Sequence, residues 1–565
     1  VASEHKNSVG QSRLLDTPAS AEQTRGRRQT KTFLFVLILS LCAFLPALGS
    51  FGFIDPSDGL YPEGAREMLE THNYLIPCVN YQPFYEKPIL IYWLIAGCFK
   101  IFGICEFSAR LPSAVCSIGC CLLIFSVSRA KVGFRAAFLA ALILLSNLLF
   151  ITIGHLALTD APLNFFCTTS FLGLFLYIRQ KRTVMLLLAY SSLALSFLLK
   201  GPVILLLAAL TLMAYKWLLN WTVPGEKQTS FCDFGFSLQP LLALLVLLLI
   251  CLPWFVAIHC ATDGAFTQEF FIQQNLGRAI GHVNHREQFW FYIPYLAASF
   301  LPWLAVTPYL IPHWRRLFKR RVRMTERTSF LLFAYAWLVV TAAVFFAVPT
   351  KLPSYILPMI PPASILIGAA LDERLRIRSK AKALYANLGG SALVVGVVLA
   401  VFLFFYRRSL EECSPLVGIG GAAGALVMLL AGSLFIYFSK RGMVSWLETR
   451  AVSLGICCSV LLATPAALMS FYNLKDRGLK DVVEAAGDAN LATLWRDTTA
   501  GVFYHRKRVQ LVMTVEDMSK YLASSPKPHM IVCTKDLLPF LLLESKRPRL
   551  HLVKDGGHFG LYNLD

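Results

Sequence analysis

This chain has no nucleotide-handling motifs. It contains no Walker loop, no GxGxxG unit followed by an acid, no HExxH and no GxSxG elbow. Those absences argue against an ATP-driven pump, a cytoplasmic nucleotide-dependent enzyme and a metalloprotease. No CxxC unit has a partner unit, so the fifteen cysteines read neither as a zinc site nor as a disulfide framework. Cys42, Cys116, Cys120, Cys121, Cys167, Cys251, Cys457 and Cys458 lie inside apolar runs, where a thiol packs as a small hydrophobe. Charge is scarce as well. Only 15% of the residues are Asp, Glu, Lys or Arg, too few for the surface of a soluble chain of 565 residues.

What the chain has instead is apolar length. Hydrophobic residues make up 56% of it, and the mean hydropathy is +0.58. Runs long enough to span a bilayer recur from Thr32 to Phe471. They fall at 32–50, 106–128, 134–154, 161–179, 183–199, 201–219, 238–260, 291–313, 328–348, 352–371, 384–406, 415–438 and 451–472. The expectation is a polytopic all-α membrane protein of about thirteen transmembrane helices, with a small C-terminal α/β domain. The cut at Lys200-Gly201-Pro202 divides one long run, because a charge and a Gly-Pro breaker sit in its middle.

The net charge of +20 is read as topology and not as a nucleic-acid footprint. With the N-terminus inside, alternate loops hold Arg129/Lys131/Arg135, Arg179/Lys181/Arg182, the run from Arg315 to Arg327, and Arg374 to Lys382. The intervening outer loops are poor in basic residues except for Arg407 and Arg408, and the first balances its cations with acids. Residues 1–31 read as a disordered cytoplasmic tail: polar, ending in a basic cluster, and without the form of a cleaved signal peptide. Residues 32–472 form the membrane domain, with large outer loops at 51–105 and 261–290. Residues 473–565 read as the outer α/β domain: strands in RKRVQLVM and KPHMIVCT, helices in VEDMSKYLA and KDLLPFLLLE, and a closing hairpin.

The outer loop 51–105 carries an unusual density of acids and aromatics. PEGAREMLETH and ILIYWLIAGCFKIF suit helices lying in the interface plane, the first beginning near Pro62. Asp55 and Asp58 are three residues apart and share a face if the turn is helical. Such carboxylates suit a general base, a metal ligand or stabilisation of charge on a sugar ring; they equally suit helix capping. Asp160, at the start of a span, offers the same pair of readings. Lys200, Lys351, Arg66, Arg278 and Arg286 are outer cations that topology does not demand, and together they suit a lipid phosphate or diphosphate. Glu86 beside Lys87 is a metal ligand or an ion-pair partner. The outer histidines His155, His259, His282 and His285 read as structural.

These segments resemble a known family. DPSDGLYPEGAREM, FYEKPILIYW, FLLKGPVILLL, QEFFIQQNLGRAI with HREQFWFYIPYL, and FFAVPTKLPSYILP are similar, in order and spacing, to bacterial lipid A aminoarabinose transferases and the wider polyprenyl-phosphate glycosyltransferases related to protein O-mannosyltransferases, the GT-C fold. The resemblance implies an inverting transfer of a sugar, aminoarabinose or similar, from undecaprenyl phosphate to lipid A or a related envelope acceptor. The implied setting is the periplasmic face of the bacterial inner membrane. It implies Asp55 or Asp58 as the acid of the first loop and Asp160 as a second acidic site. Glu86 becomes a metal-contacting glutamate (Zn, or Mg/Mn). Arg66, Tyr85, Lys87, Lys200, Arg278, Lys351 and Tyr355 fall on the donor-phosphate side. Two departures stand out: the family's adjacent acids are separated here, and Asn275 stands where a metal-binding histidine is usual. A protein O-glycosyltransferase is the alternative acceptor reading. A non-enzymatic lipid transporter is the alternative class, but the chain lacks the repeated halves such a protein uses.

Overall fold

The structure is a computed structural model that describes residues 18–54, 56–222, 230–277, 287–319, 323–411, 415–443, 445–476, 478–494, 499–523, 529–534 and 550–564. Among these, ten helices are long and apolar enough to cross a membrane. Two bent pairs, Phe134–Leu145 with Leu148–Gly154 and Phe289–Ser299 with Trp303–Leu317, bring the number to twelve if each is one span. The apolar segment Thr30–Phe44 is shorter than a full span and occupies the first of the thirteen expected positions. Both bends depart from the straight spans expected at 134–154 and 291–313. At the first, bent by 62°, Asn147 starts a new helix by accepting from the Phe150 N–H at 3.0 Å. At the second, bent by 100°, Pro302 sits in the break and has no N–H to continue the ladder.

The cut at Lys200-Gly201-Pro202 is found as expected, between the helices Thr183–Lys200 and Val203–Thr222. The tail is a correction in part. A helix runs Pro18–Phe44, so the basic cluster before the first apolar run is helical, and residues 1–17 lie outside the described residues. Small residues let the bundle pack closely: a Cβ on Gly368 would stand 2.6 Å from the Ala136 carbonyl oxygen.

The helix expected near Pro62 begins earlier, at Ser57, and runs to Thr71 with Pro62 inside its second turn. Its residues from Asp58 to Met68 are almost all buried. Protein covers it: the helix Leu90–Phe102 and the C-terminal α/β unit both pack on it. A hairpin of two-residue strands, β1 (Cys78–Val79) with β2 (Gln82–Pro83), follows the helix Ser57–Thr71. In the α/β unit β3 (Asn490–Leu494) lies parallel to both β4 (Val509–Val512) and β5 (His529–Thr534). The antiparallel hairpin β6 (Leu550–Asp555) and β7 (Phe559–Leu564) completes the order β4-β3-β5-β7-β6. The expected helix VEDMSKYLA is found at Val515–Ala523, whereas KDLLPFLLLE lies outside the described residues.

The unit is bolted down by specific bonds. The Asn80 side chain donates to the Val509 carbonyl at 2.7 Å and accepts from its N–H at 2.9 Å. The Thr499 hydroxyl donates to the Pro56 carbonyl at 2.7 Å. Tyr504 accepts from the Phe53 N–H and donates to Glu106, which Lys480 also engages at 2.6 Å. A Cβ on Gly59 would meet the Ala500 nitrogen at 2.8 Å, so glycine permits this contact.

Candidate active site

Two antiparallel helices set the centre of the site. Asp160 opens the helix Asp160–Gln180, and Lys200 closes the helix Thr183–Lys200. A hairpin of similar arms brings the first residue of one beside the last residue of the other. Each charge also complements its own helix dipole, an acid at an N-terminus and a base at a C-terminus. Lys200 Nζ lies 2.6 Å from Asp160 Oδ1 and 4.4 Å from the centroid of the Tyr355 ring. Gly201 then turns the chain at φ +89°, and a Cβ there would stand 2.7 Å from the Phe270 ring. Lys-Gly is thus a geometric requirement at this corner.

The pair opens onto a cavity of about 430 Å³. Glu86, Lys87, Asp160, Lys200 and Tyr355 give it a charged end. Val203, Leu206, Leu207, Phe270, Phe271, Val344 and Phe345 give it apolar walls. Lys87 Nζ lies 3.8 Å from Glu86 Oε2 and donates to the Glu86 carbonyl at 3.2 Å. One end for an anion and an apolar trough beside it is the shape of an amphiphile with a charged head.

Tyr61 is the residue the sequence reading passed over. Its side chain is buried, hydrogen-bonded to Thr159, and in electrostatic contact with Asp160, Glu86 and Tyr355. Burial, then the negative charge of Asp160, pushes its phenol well above the usual range. It therefore stays protonated and offers an O–H.

Other expected residues fall elsewhere. Asp58 does not line the cavity. Its carboxylate accepts from Arg110 at 2.6 Å, from the Ala157 N–H at 2.6 Å and from the Ile54 N–H at 3.3 Å. Arg110 is fully buried, donates to the carbonyls of Leu48, Phe51 and Gly52, and lies 4.0 Å from the centroid of Phe51. This pair binds the end of the first span to the loop before Asp160. Arg66 also lies away from the cavity, pairing with Glu63 at 2.7 Å and with Glu70. Five residues separate it from Tyr61, about 140° around a helix, so the two cannot face the same side.

Tyr85 stacks edge-on against Phe266 beside the site. Lys351 is buried one turn from Tyr355 and donates to the Val348 carbonyl; burial holds its ammonium below the usual range. Asp55, Arg278, Arg286, His282 and His285 lie outside the described residues. His155 Nδ1 donates to the Ile151 carbonyl at 2.9 Å and the ring packs on Phe44, a structural placement; His259 bonds Thr267.

Glu86 was expected to contact a metal. Among the described residues no three His, Cys, Asp or Glu side chains converge. Asp160, the second carboxylate of the cavity, is held by Lys200, and Asn275 turns its amide onto the Phe270 carbonyl at 2.7 Å. Among the described residues this donor set offers a divalent ion no third carboxylate, imidazole or thiolate.

Known proteins resemble this chain in sequence and in fold. A family described as dolichyl-phosphate-mannose-protein mannosyltransferase matches residues 86–256, a span that holds Glu86, Lys87, Asp160 and Lys200. An undecaprenyl phosphate-alpha-4-amino-4-deoxy-L-arabinose arabinosyl transferase of Shewanella sediminis is 25% identical over 66% of this chain and 66% of its own length. One from Pseudomonas aeruginosa is 29% identical over 66% of this chain and 64% of its own. The chain thus spans just under two thirds of these relatives. The crystal structure of ArnT from Cupriavidus metallidurans bound to undecaprenyl phosphate superimposes with a TM-score of 0.74 at 20% identity, covering 94% of this chain and 98% of that one.

The chain shares the fold of this transferase. Its apo counterpart from the same organism gives a TM-score of 0.75 over 95% of this chain, so the fold, including the C-terminal unit, is shared along nearly the whole length. Within the GT-C fold, the cavity formed by the Asp160–Lys200 corner, the Glu86 loop and Tyr355 is the candidate active site.

Proposed function

We propose that this chain is an inverting glycosyltransferase that moves a sugar, aminoarabinose or a close analogue, from undecaprenyl phosphate to lipid A or a related envelope acceptor. The observation that carries the reading is the cavity's division into a charged end and an apolar trough. A polyprenyl phosphate has the same division. Its phosphate is served by Lys200 and Lys87 with the hydroxyl of Tyr355, and its prenyl chain by Val203, Leu206 and Leu207.

An acceptor oxygen attacks the anomeric carbon; the bond from that carbon to the phosphate oxygen breaks, and its electron pair leaves with the lipid phosphate. Cations at the leaving phosphate stabilise the charge that develops there. An acceptor phosphate is already ionised and needs no base. Asp160 and Glu86 then hold sugar hydroxyls and stabilise oxocarbenium character, with Asp55 the further acid that the family resemblance supplies. Asp58, sealed against Arg110, is structural.

The reading places the protein in the bacterial inner membrane, with the basic ends of the helices cytoplasmic and the cavity and C-terminal α/β unit periplasmic. The dolichyl-phosphate-mannose-protein mannosyltransferase match favours a second acceptor, a protein hydroxyl. A hydroxyl needs a base, and a carboxylate at the cavity would take its proton. Mass spectrometry of lipid A from cells with and without the gene tests the first reading. A sugar-sized mass difference is expected, and identical lipid A would remove it.

A further inference from the structure

A second pocket lies at the other end of two helices that build the active site. The helix Glu326–Ala347 contributes Val344 and Phe345 to the cavity but Arg327, Thr328 and Leu331 to this pocket. At 1.5 Å per residue, Thr328 and Phe345 are about 25 Å apart, the depth of a bilayer core. Pro358 and Glu373 repeat the relation through the neighbouring segment Pro353–Leu375.

The pocket encloses about 370 Å³, and Arg316, Arg327, Arg376, His313 and Glu373 line it. Three guanidiniums face two carboxylates. Arg376 donates to Asp372 at 2.9 Å, and Arg316 and His313 both engage Glu373, the latter at 2.5 Å. Arg327 donates to the carbonyls of Val132 and Ala369. A guanidinium has five N–H donors, so these bonds leave capacity for a further anion. His313 is buried, and its Nε2 has no hydrogen-bond partner among the described residues.

We infer that this pocket binds the phosphodiester headgroup of an anionic membrane lipid. Charge selects the phosphodiester, whose oxygens suit paired guanidinium donors. The surroundings select a lipid over a free anion: Leu317 and Leu331 also line the pocket, and Ile311 and Ile377, two residues before His313 and one after Arg376 in sequence, are exposed apolar side chains. The inference concerns the opposite end of the bundle and stands or falls independently of the glycosyl-transfer reading.

The test uses the full chain in detergent, native mass spectrometry, and phosphatidylglycerol against phosphatidylcholine, with inorganic phosphate as competitor. Wild-type protein is expected to retain phosphatidylglycerol over phosphatidylcholine. The double variant Arg316→Gln/Arg376→Gln should lose that retention on the order of tenfold. Glu373→Gln removes a competing carboxylate and should raise it, which keeps the test decisive if the double variant does not fold. Retention unchanged by the double variant, retention not raised by Glu373→Gln, or displacement by equimolar inorganic phosphate would each overturn the inference.

Discussion

Two ion pairs of the same type and length do opposite things in this protein. Asp58 meets Arg110 and Asp160 meets Lys200, each at 2.6 Å. The first pair is sealed, with side chains 2% and 0% exposed; the second borders a cavity, at 11% and 15%. Arg110 is further bound by three backbone carbonyls, whereas Lys200 has an aromatic face and open space. The comparison teaches that an outer aspartate near a cation is not enough to mark chemistry. What marks it is whether the cation can exchange its carboxylate for a ligand.

The largest effect should come from opening the sealed pair. Asp58→Asn leaves a buried guanidinium without its counter-charge and should cost about 3 kcal/mol or more. Thermal unfolding in detergent would show it as a large fall in midpoint, with activity lost only as fold is lost. Lys200→Gln should do the reverse, lowering transfer about 100-fold while leaving the unfolding midpoint near wild type. If Lys200→Gln unfolds the protein while Asp58→Asn does not, the assignment of the two pairs is inverted.

Docking of the α/β unit gives a smaller effect. Asn80→Ala removes both bonds to Val509 and should loosen the unit by about 1–2 kcal/mol. Faster hydrogen exchange in β4, with the membrane helices unchanged, would be the sign. The smallest effect is one of pH. Glu67 is buried and faces Glu63, which pushes its carboxyl up to about 8. Folded protein therefore holds a proton that the unfolded chain releases at an ordinary carboxyl value. Wild-type stability should fall as pH rises from the ordinary carboxyl range through about 8. Glu67→Gln should remove that slope, and parallel curves for the two proteins would contradict it.

Much of the site could be read from the chain because its residues are anomalies of context. Asp160, Lys200, Glu86 and Lys87 are charges in or beside apolar runs, and a long run needed cutting at Lys200. The spans were legible through length alone, but their bends were not, since hydropathy does not register the local bonds of Asn147 or the missing donor of Pro302. Tyr61 escaped because an aromatic in a polar loop is ordinary. The role of Asp58 escaped because its partner lies 52 residues away, where Arg110 looks like any cation at the mouth of a span. The strand β3 was missed because NLATL is only five residues long and holds no β-branched residue but Thr493.

The account rests on the cavity at Lys200 being the seat of the lipid-linked donor. The most direct measurement is binding of undecaprenyl phosphate to the purified wild-type chain and to Lys200→Gln, both checked for fold. Saturable binding to the wild type is expected, weakened at least tenfold in the variant by loss of a desolvated charge–phosphate contact. Equal binding to both would contradict it.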